Sequence, residues 1–265
     1  PEFFNFNQWP VPFAAFDQLD QLTEDIQALE NEYSMMIMNL DNNKTLELLS
    51  DIYDCMPNGK LKNKLIENSP LSDSVLTALL IEYPLSHGNF KLVMERNMPV
   101  SIAVEPYLYE RLKTLPNGIA NQLYPLQSVN PNYRTPAAVY LEINFLEMER
   151  QLYLNKLIAV LCDTLNNRPQ DAFDLLLNET STEAKQIVAA TYLFEGNLQN
   201  AGAKLAEIEP TNKSLEDWLE YSNILLSLYY NNKTLYDMDS TQLAFIKEQA
   251  YKCPVDLVSA NAQSV

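Results

Sequence analysis

Between Met56 and Leu126 the sequence says nearly the same thing three times, and this restricts the chain to folds that stack like units. Pro-x-Gly or Pro-x-x-x-Gly phrases recur at Pro57–Gly59, Pro84–Gly88 and Pro116–Gly118, so that Gly59, Gly88 and Gly118 lie 29 and 30 residues apart. At an offset of 29, Leu61 matches Phe90, Leu65 matches Met94, Asn68 matches Asn97, Pro70 matches Pro99, Leu71 matches Val100 and Ser72 matches Ser101. The third copy begins with Gly118 and Leu123, then gives way to a loop over residues 127–136.

Each unit has a readable physical logic. Proline and glycine set a turn, and about two helical turns follow over residues 60–67. The Asn-x-Pro phrase ends that helix, because a residue before proline is pushed out of the α region. Ser72 or Ser101 then caps a second helix carrying Val75, Leu76, Leu79 and Leu80, or Ala103, Val104 and Leu108. Neither helix is long enough to persist alone in water. Each must bury its apolar face on its neighbours, as units of a solenoid do. Gly59, Gly88, Gly118 and, further on, Gly196 are therefore read as turn glycines; if Gly88 holds a positive φ, valine there destabilises the unit.

Composition agrees with helices. Only 5 of 265 residues are glycine, 47% are hydrophobic, and alternating β-branched runs are absent, which points to an all-α chain of stacked helical hairpins. A net charge of −17 would repel nucleic-acid phosphates and anionic membranes. No apolar run approaches the length of about 20 residues that spans a bilayer. The chain opens on Pro1-Glu2-Phe3-Phe4 with neither an initiator Met nor a signal peptide, and so reads as a piece of a longer protein. Cys55, Cys162 and Cys253 are an odd number and far apart; they read as buried thiols, with one disulfide conceivable after export.

Three regions follow. Residues 1–16 are aromatic and proline-punctuated (Trp9-Pro10-Val11-Pro12) and read as an extended segment. Residues 17–135 hold a helix over 17–40 with Leu19, Leu22, Ile26, Leu29, Tyr33, Met36 and Ile37 inward, a turn at Asp41-Asn42-Asn43, a helix over 45–55 and the repeats. The methionine-rich run 35–38 is read as core rather than as a promiscuous binding surface. Residues 136–265 begin with Pro136 at a first helical position and the longest helix, about 137–165, with Leu141, Phe145, Met148, Leu152, Leu157 and Leu161 inward. Beyond it come a short helix 172–177, a capping box Thr180…Glu183, a looser cap Ser214…Asp217, and closing helices near 241–252 and 255–260; the two regions could form one continuous domain.

Two resemblances rest on quoted residues. Tyr192-Leu193-Phe194-Glu195-Gly196-Asn197-Leu198, with Ala201, Leu205, Ile208 and Pro210, resembles the turn and second helix of a tetratricopeptide hairpin. It implies helix–turn–helix geometry over one unit and carries over no peptide-binding residue. The phrases Asp51-Ile52-Tyr53, Met56-Pro57-x-Gly59-x-Leu61-Lys62, Ser69-Pro70-Leu71-Ser72-Asp73, Leu115-Pro116-Asn117-Gly118-Ile119 and Glu142-Ile143-Asn144…Glu149-Arg150-Gln151-Leu152 resemble a helical region of large Bacteroidota proteins. In those proteins it precedes a C-terminal sorting signal read by the type IX secretion system. The resemblance implies export to the cell surface or beyond, within a multidomain protein. Three Asp-Ser/Thr-apolar tripeptides resemble O-glycosylation sites of such exported proteins, with Ser74, Thr164 and Ser240 as acceptors, although Asp-Ser pairs also cap helices.

No catalytic constellation stands out. His87, the single histidine, lies in a turn with no second His or Cys near it, and no Gly-x-Ser-x-Gly elbow supports a triad; a Cys55–His87 pair would need the fold to join them. Glu24/Asp25, Glu147/Glu149 and Glu216/Asp217 read as exposed helix faces, and Asp41-Asn42-Asn43 lacks the rest of a calcium loop. The expectation is a non-catalytic helical-repeat module of a secreted or cell-surface protein, requiring no cofactor and no metal. It would serve as a spacer or as an interaction platform for neighbouring domains, secretion-system or surface proteins, or glycans. Tyr83, Tyr107, Tyr109, Tyr124 and Tyr133 are its candidate contact aromatics. The alternatives are an all-α glycan-acting enzyme using paired carboxylates, for which Trp9 and Trp218 are few stacking platforms, and a cytoplasmic tetratricopeptide-like adaptor.

Overall fold

The computed structural model describes residues 14–54, 56–164, 166–252, 258 and 262. All regular structure among them is helical. The expected extended segment therefore lies outside the described residues up to residue 13, while residues 14–16 already belong to the first helix. Cys55, Cys253 and nearly all of the expected closing helix 255–260 also lie outside them. The chain divides into two compact units, the first running to Lys156 and the second beginning at Leu157.

The first unit opens with α1 (Ala14–Met38), which buries Leu19, Leu22 and Ile26 at helical spacing. A 3-10 turn (Leu40–Asn43) follows, in which Asp41, Asn42 and Asn43 all hold positive φ. Such backbone is unfavourable for L-residues and least so for Asn and Asp. It persists here because Asp41 is fully buried: its Oδ1 accepts from Ser72 N at 2.8 Å and its Oδ2 accepts from the Thr45 hydroxyl at 2.7 Å.

Six short helices come next: α2 (Thr45–Tyr53), α3 (Asn58–Glu67), α4 (Asp73–Glu82), α5 (His87–Asn97), α6 (Glu105–Thr114) and α7 (Asn117–Leu123). Helix α2 packs on α4 and α4 on α6, while α3 packs on α5 and α5 on α7. Leu61, Leu65, Phe90, Met94, Leu108 and Leu123 are at the centre of the shared core. Helix α4 buries Val75, Leu76, Ala78, Leu79 and Leu80, nearly its whole circumference, because it has neighbours on both sides. Ser72 caps it as expected, accepting from Val75 N. Ser101 instead starts a helical turn five residues ahead of Pro106, and its hydroxyl donates to Asp73 at 2.8 Å.

The Pro-x-Gly phrases differ from the expected turns. Pro57 and Pro116 sit at helix N-caps, and Gly59, Gly88 and Gly118 fall in first helical turns with open space around them and no positive φ. The left-handed ending of α4 falls to Tyr83 (φ 49°), followed by Pro84. Gly88→Ala is therefore expected to leave stability unchanged or raise it by up to about 0.5 kcal/mol, because glycine loses more backbone freedom on folding; thermal melts of the two proteins check this.

Helix α8 (Pro136–Leu161) spans the boundary between the units. Its expected inward face is partly the wrong one. Val139, Ile143, Tyr153, Leu154, Leu157 and Leu161 are buried, whereas Leu141, Phe145, Met148 and Leu152 are exposed. The helix is apolar on two opposite sides, and spacing alone cannot choose between them. The 35–38 run is corrected as well: Met35, Ile37 and Met38 are exposed, and only Met36 joins Ile26, Val139 and Ile143 in a small core. Arg134 ties this region together, with its guanidinium bridging Glu32 and Glu142.

The second unit continues with α9 (Pro169–Leu177), α10 (Thr182–Phe194), α11 (Leu198–Ala206), α12 (Lys213–Tyr230) and α13 (Ser240–Ala250). Consecutive pairs from α9 to α12 pack as hairpins. Ser181 caps α10 through Ala184 N, one residue after the expected Thr180, and Asn212 rather than Ser214 caps α12. Asp239 forms a capping box with Gln242 at the start of α13. Gly196 is left-handed (φ 75°) between α10 and α11, and Ala201 is fully buried. Gly196→Val is expected to cost about 1–2 kcal/mol, read as a lower denaturation midpoint by Trp218 fluorescence.

Candidate functional site

A concavity of the first unit is built where its repeats end their first helices. Asn68 and Asn97 are buried at the ends of α3 and α5, and each is followed by a cis X-Pro bond, at Ser69-Pro70 and Met98-Pro99. The two loops that emerge, Pro70–Asp73 and Pro99–Ile102, run side by side and are joined by the Ser101–Asp73 hydrogen bond. Asn97 fixes the first loop, since its Oδ1 accepts from Leu71 N at 2.8 Å. Gln127 fixes the second: Oε1 accepts from Val100 N and Nε2 donates to Val100 O, both at 3.0 Å. Thr135, also buried, donates to Pro99 O.

Tyr33 and Ile37 on α1, with Tyr140, Leu141 and Asn144 on α8, supply the remaining walls of a groove of about 640 Å³. That volume lies in the range of ligand sites. Tyr33 and Tyr140 face each other with ring centroids 6.0 Å apart. The lining is mainly apolar, Ile102 and Leu141 are exposed, and the charges within it are the carboxylates of Asp73 and Glu105, with no Lys, Arg or His among them. Both carboxylates have hydroxyl partners: Ser101 donates to Asp73, and the Tyr109 hydroxyl donates to Glu105 at 2.8 Å. The Glu105 carboxylate pushes the Tyr109 phenol above its ordinary value.

The expected contact tyrosines do not gather at this groove. The Tyr83 hydroxyl pairs with His87 Nδ1 at 2.6 Å, and its ring packs edge-on to Phe90 beneath the Arg111 guanidinium, 4.3 Å away. Burial raises its phenol, and Arg111 opposes this. Tyr109 and Tyr124 neighbour one another at 6.1 Å, Tyr107 is exposed on α6, and Tyr133 lies under Arg96 beside a second, more polar recess with Asn130 and Asn132. The tyrosines of the groove are Tyr33 and Tyr140, which periodicity places on helices without saying that their faces meet.

Ser74, Thr164 and Ser240 are all exposed. Asp73 opens α4, and Asp239 caps α13 by accepting from Thr241 N and Gln242 N. Cys162 is an exposed free thiol, in place of the buried thiol expected there. Among the described residues no three His, Cys, Asp or Glu side chains gather in a metal-binding group, and no helix is long and apolar enough to cross a membrane. Asp217 is not the exposed carboxylate expected: it is buried and held by Lys252 Nζ at 2.7 Å and Lys213 Nζ at 3.0 Å. No family model matches the chain, and no curated protein and no solved structure matches it either.

Proposed function

We propose that this chain is a non-catalytic helical-repeat module, solenoid-like in its first unit and tetratricopeptide-like around Gly196, that serves as an interaction platform or spacer of a larger exported protein. The observation that carries the platform reading is the groove over the paired loops: two copies of one repeat present matching Pro-apolar-Ser backbones beside the facing tyrosines Tyr33 and Tyr140. The buried amide of Asn97 and the half-buried amide of Gln127 hold those loops by their backbones, so the surface is formed before any ligand arrives and little ordering entropy opposes binding. Export and cell-surface placement rest on the sequence phrases alone.

The test is titration calorimetry with a panel of apolar oligopeptides and neutral or charged oligosaccharides, on the wild-type chain and on Ile102→Glu. Ile102 is exposed at the groove rim, so the substitution alters the site and spares the core. Affinity for at least one ligand class that falls about tenfold in the variant, about 1.4 kcal/mol, supports the platform. Ligands insensitive to Ile102→Glu would remove the groove from the account. Release of new reducing ends from the oligosaccharides, abolished by Asp73→Asn or Glu105→Gln, would replace the proposal with the glycan-acting enzyme.

A further inference from the structure

Helix α8 carries a second surface that shares Leu141 and Asn144 with the groove and continues beyond it through Phe145, Met148 and Leu152. Leu141, Phe145, Met148 and Leu152 are 50%, 59%, 57% and 53% exposed, and they follow one another at intervals of four, three and four residues. That spacing is the seam of a coiled coil: it keeps apolar side chains facing a second helix for two heptads, about 16 Å of axis. The opposite side of α8 already buries Val139, Ile143 and Leu154, so the exposed seam is not a core face that has slipped. Its flanks differ. Glu142 and Glu149, seven residues apart, lie along one edge; Asn144 and Gln151, also seven apart, lie along the other. Arg134 shares Glu142, the Arg150 guanidinium donates to Thr23, and Lys156 lies beyond the end of the seam.

From this pattern we infer that the Leu141–Leu152 face docks a partner helix with an apolar heptad seam and lysine or arginine once per heptad on the edge that meets Glu142 and Glu149. The spacing selects a helix over an extended peptide, which would meet every second residue of a strand rather than a 4-3 stripe. The charge selects the partner. A second copy of this chain docked antiparallel would set the glutamate edge against itself; docked parallel, it would set glutamate against amide with no ion pair. Two chains of net charge −17 add long-range repulsion to either arrangement.

The test uses the full chain and three 21-residue synthetic peptides: leucine at both seam positions with lysine on the flanks, the same with glutamate on the flanks, and a scrambled lysine peptide. Fluorescence anisotropy is expected to show binding of the ordered lysine peptide alone. Phe145→Glu should weaken it at least tenfold and Glu149→Lys about fivefold, while Ile102→Glu at the groove leaves it unchanged; a failed groove and a failed seam are thus told apart. Equal binding of the scrambled peptide would reduce the effect to bulk charge and overturn the inference. So would binding indifferent to Phe145→Glu, no binding at all, or dimerisation of the chain abolished by Phe145→Glu in sedimentation, which would make a second copy the occupant.

Discussion

Replacing Asn97 by leucine is expected to cost about 3 kcal/mol and to release the loop over the groove. The side chain is 3% exposed and makes three hydrogen bonds: it accepts from Leu71 N at 2.8 Å and donates to Val93 O at 2.8 Å and Ser69 Oγ at 3.0 Å. Leucine fills the space but leaves the Leu71 amide buried without an acceptor, and an orphaned buried donor costs about 1–3 kcal/mol. Hydrogen exchange at the Leu71 amide should accelerate by about two orders of magnitude, together with a fall in melting temperature. The repeat-equivalent change Asn68→Leu should cost less. The Asn68 amide donates within its own helix to Lys64 O, and its oxygen accepts only from the part-exposed Asn42 side chain at 3.3 Å. Equal costs at the two sites would sink the claim that Asn97 couples one repeat to the next.

Removing both lysines around Asp217 (Lys213→Met with Lys252→Met) is expected to destabilise the second unit by on the order of 3 kcal/mol at pH 7, because a carboxylate 1% exposed would be left without a cation. In the wild-type chain burial pushes the Asp217 carboxyl up, and the ammonium groups of Lys252 and Lys213 outweigh it and hold the group below its ordinary value of 3.8. A lowered folded value contributes stability that is complete above 3.8 and is lost as pH falls through the folded value. In the double variant burial acts alone and the sign reverses: the folded value lies above 3.8, and the penalty present at neutral pH is relieved by protonation as pH falls. The stability gap between the two proteins should therefore shrink from pH 7 to pH 4. Urea denaturation followed by Trp218, which neighbours Asp217 and packs in the same unit, measures it. A gap that stays constant would mean that the clamp is not electrostatic.

Much of the fold could be read before any coordinate. The 29-residue offset carries into the structure as paired helices, paired buried asparagines and paired cis prolines. Gln127 extends the pattern one step further, since it follows Asn97 by the same 30 residues that separate Gly118 from Gly88. The signal was present, but the surrounding loop hid it, because glutamine replaces asparagine and the helix has ended. The groove was not legible. Tyr33 and Tyr140 are 107 residues apart, and only the packing of α1 beside the start of α8, around Ile26, Val139 and Ile143, brings them face to face.

Local rules account for what the sequence determined by itself: that the chain is helical, roughly where its helices begin and end, and that a short two-helix phrase repeats. Proline, glycine, capping serines and 3.6-residue periodicity act within a few residues of each other. The tertiary structure alone decided which face of a helix is inside. On α8 two opposite apolar stripes meet the periodicity equally well, and the choice fell to whichever stripe met Ile26 and its neighbours, leaving Phe145 and Met148 to the solvent. Burial depends on what lies opposite, and a helix does not encode its neighbours.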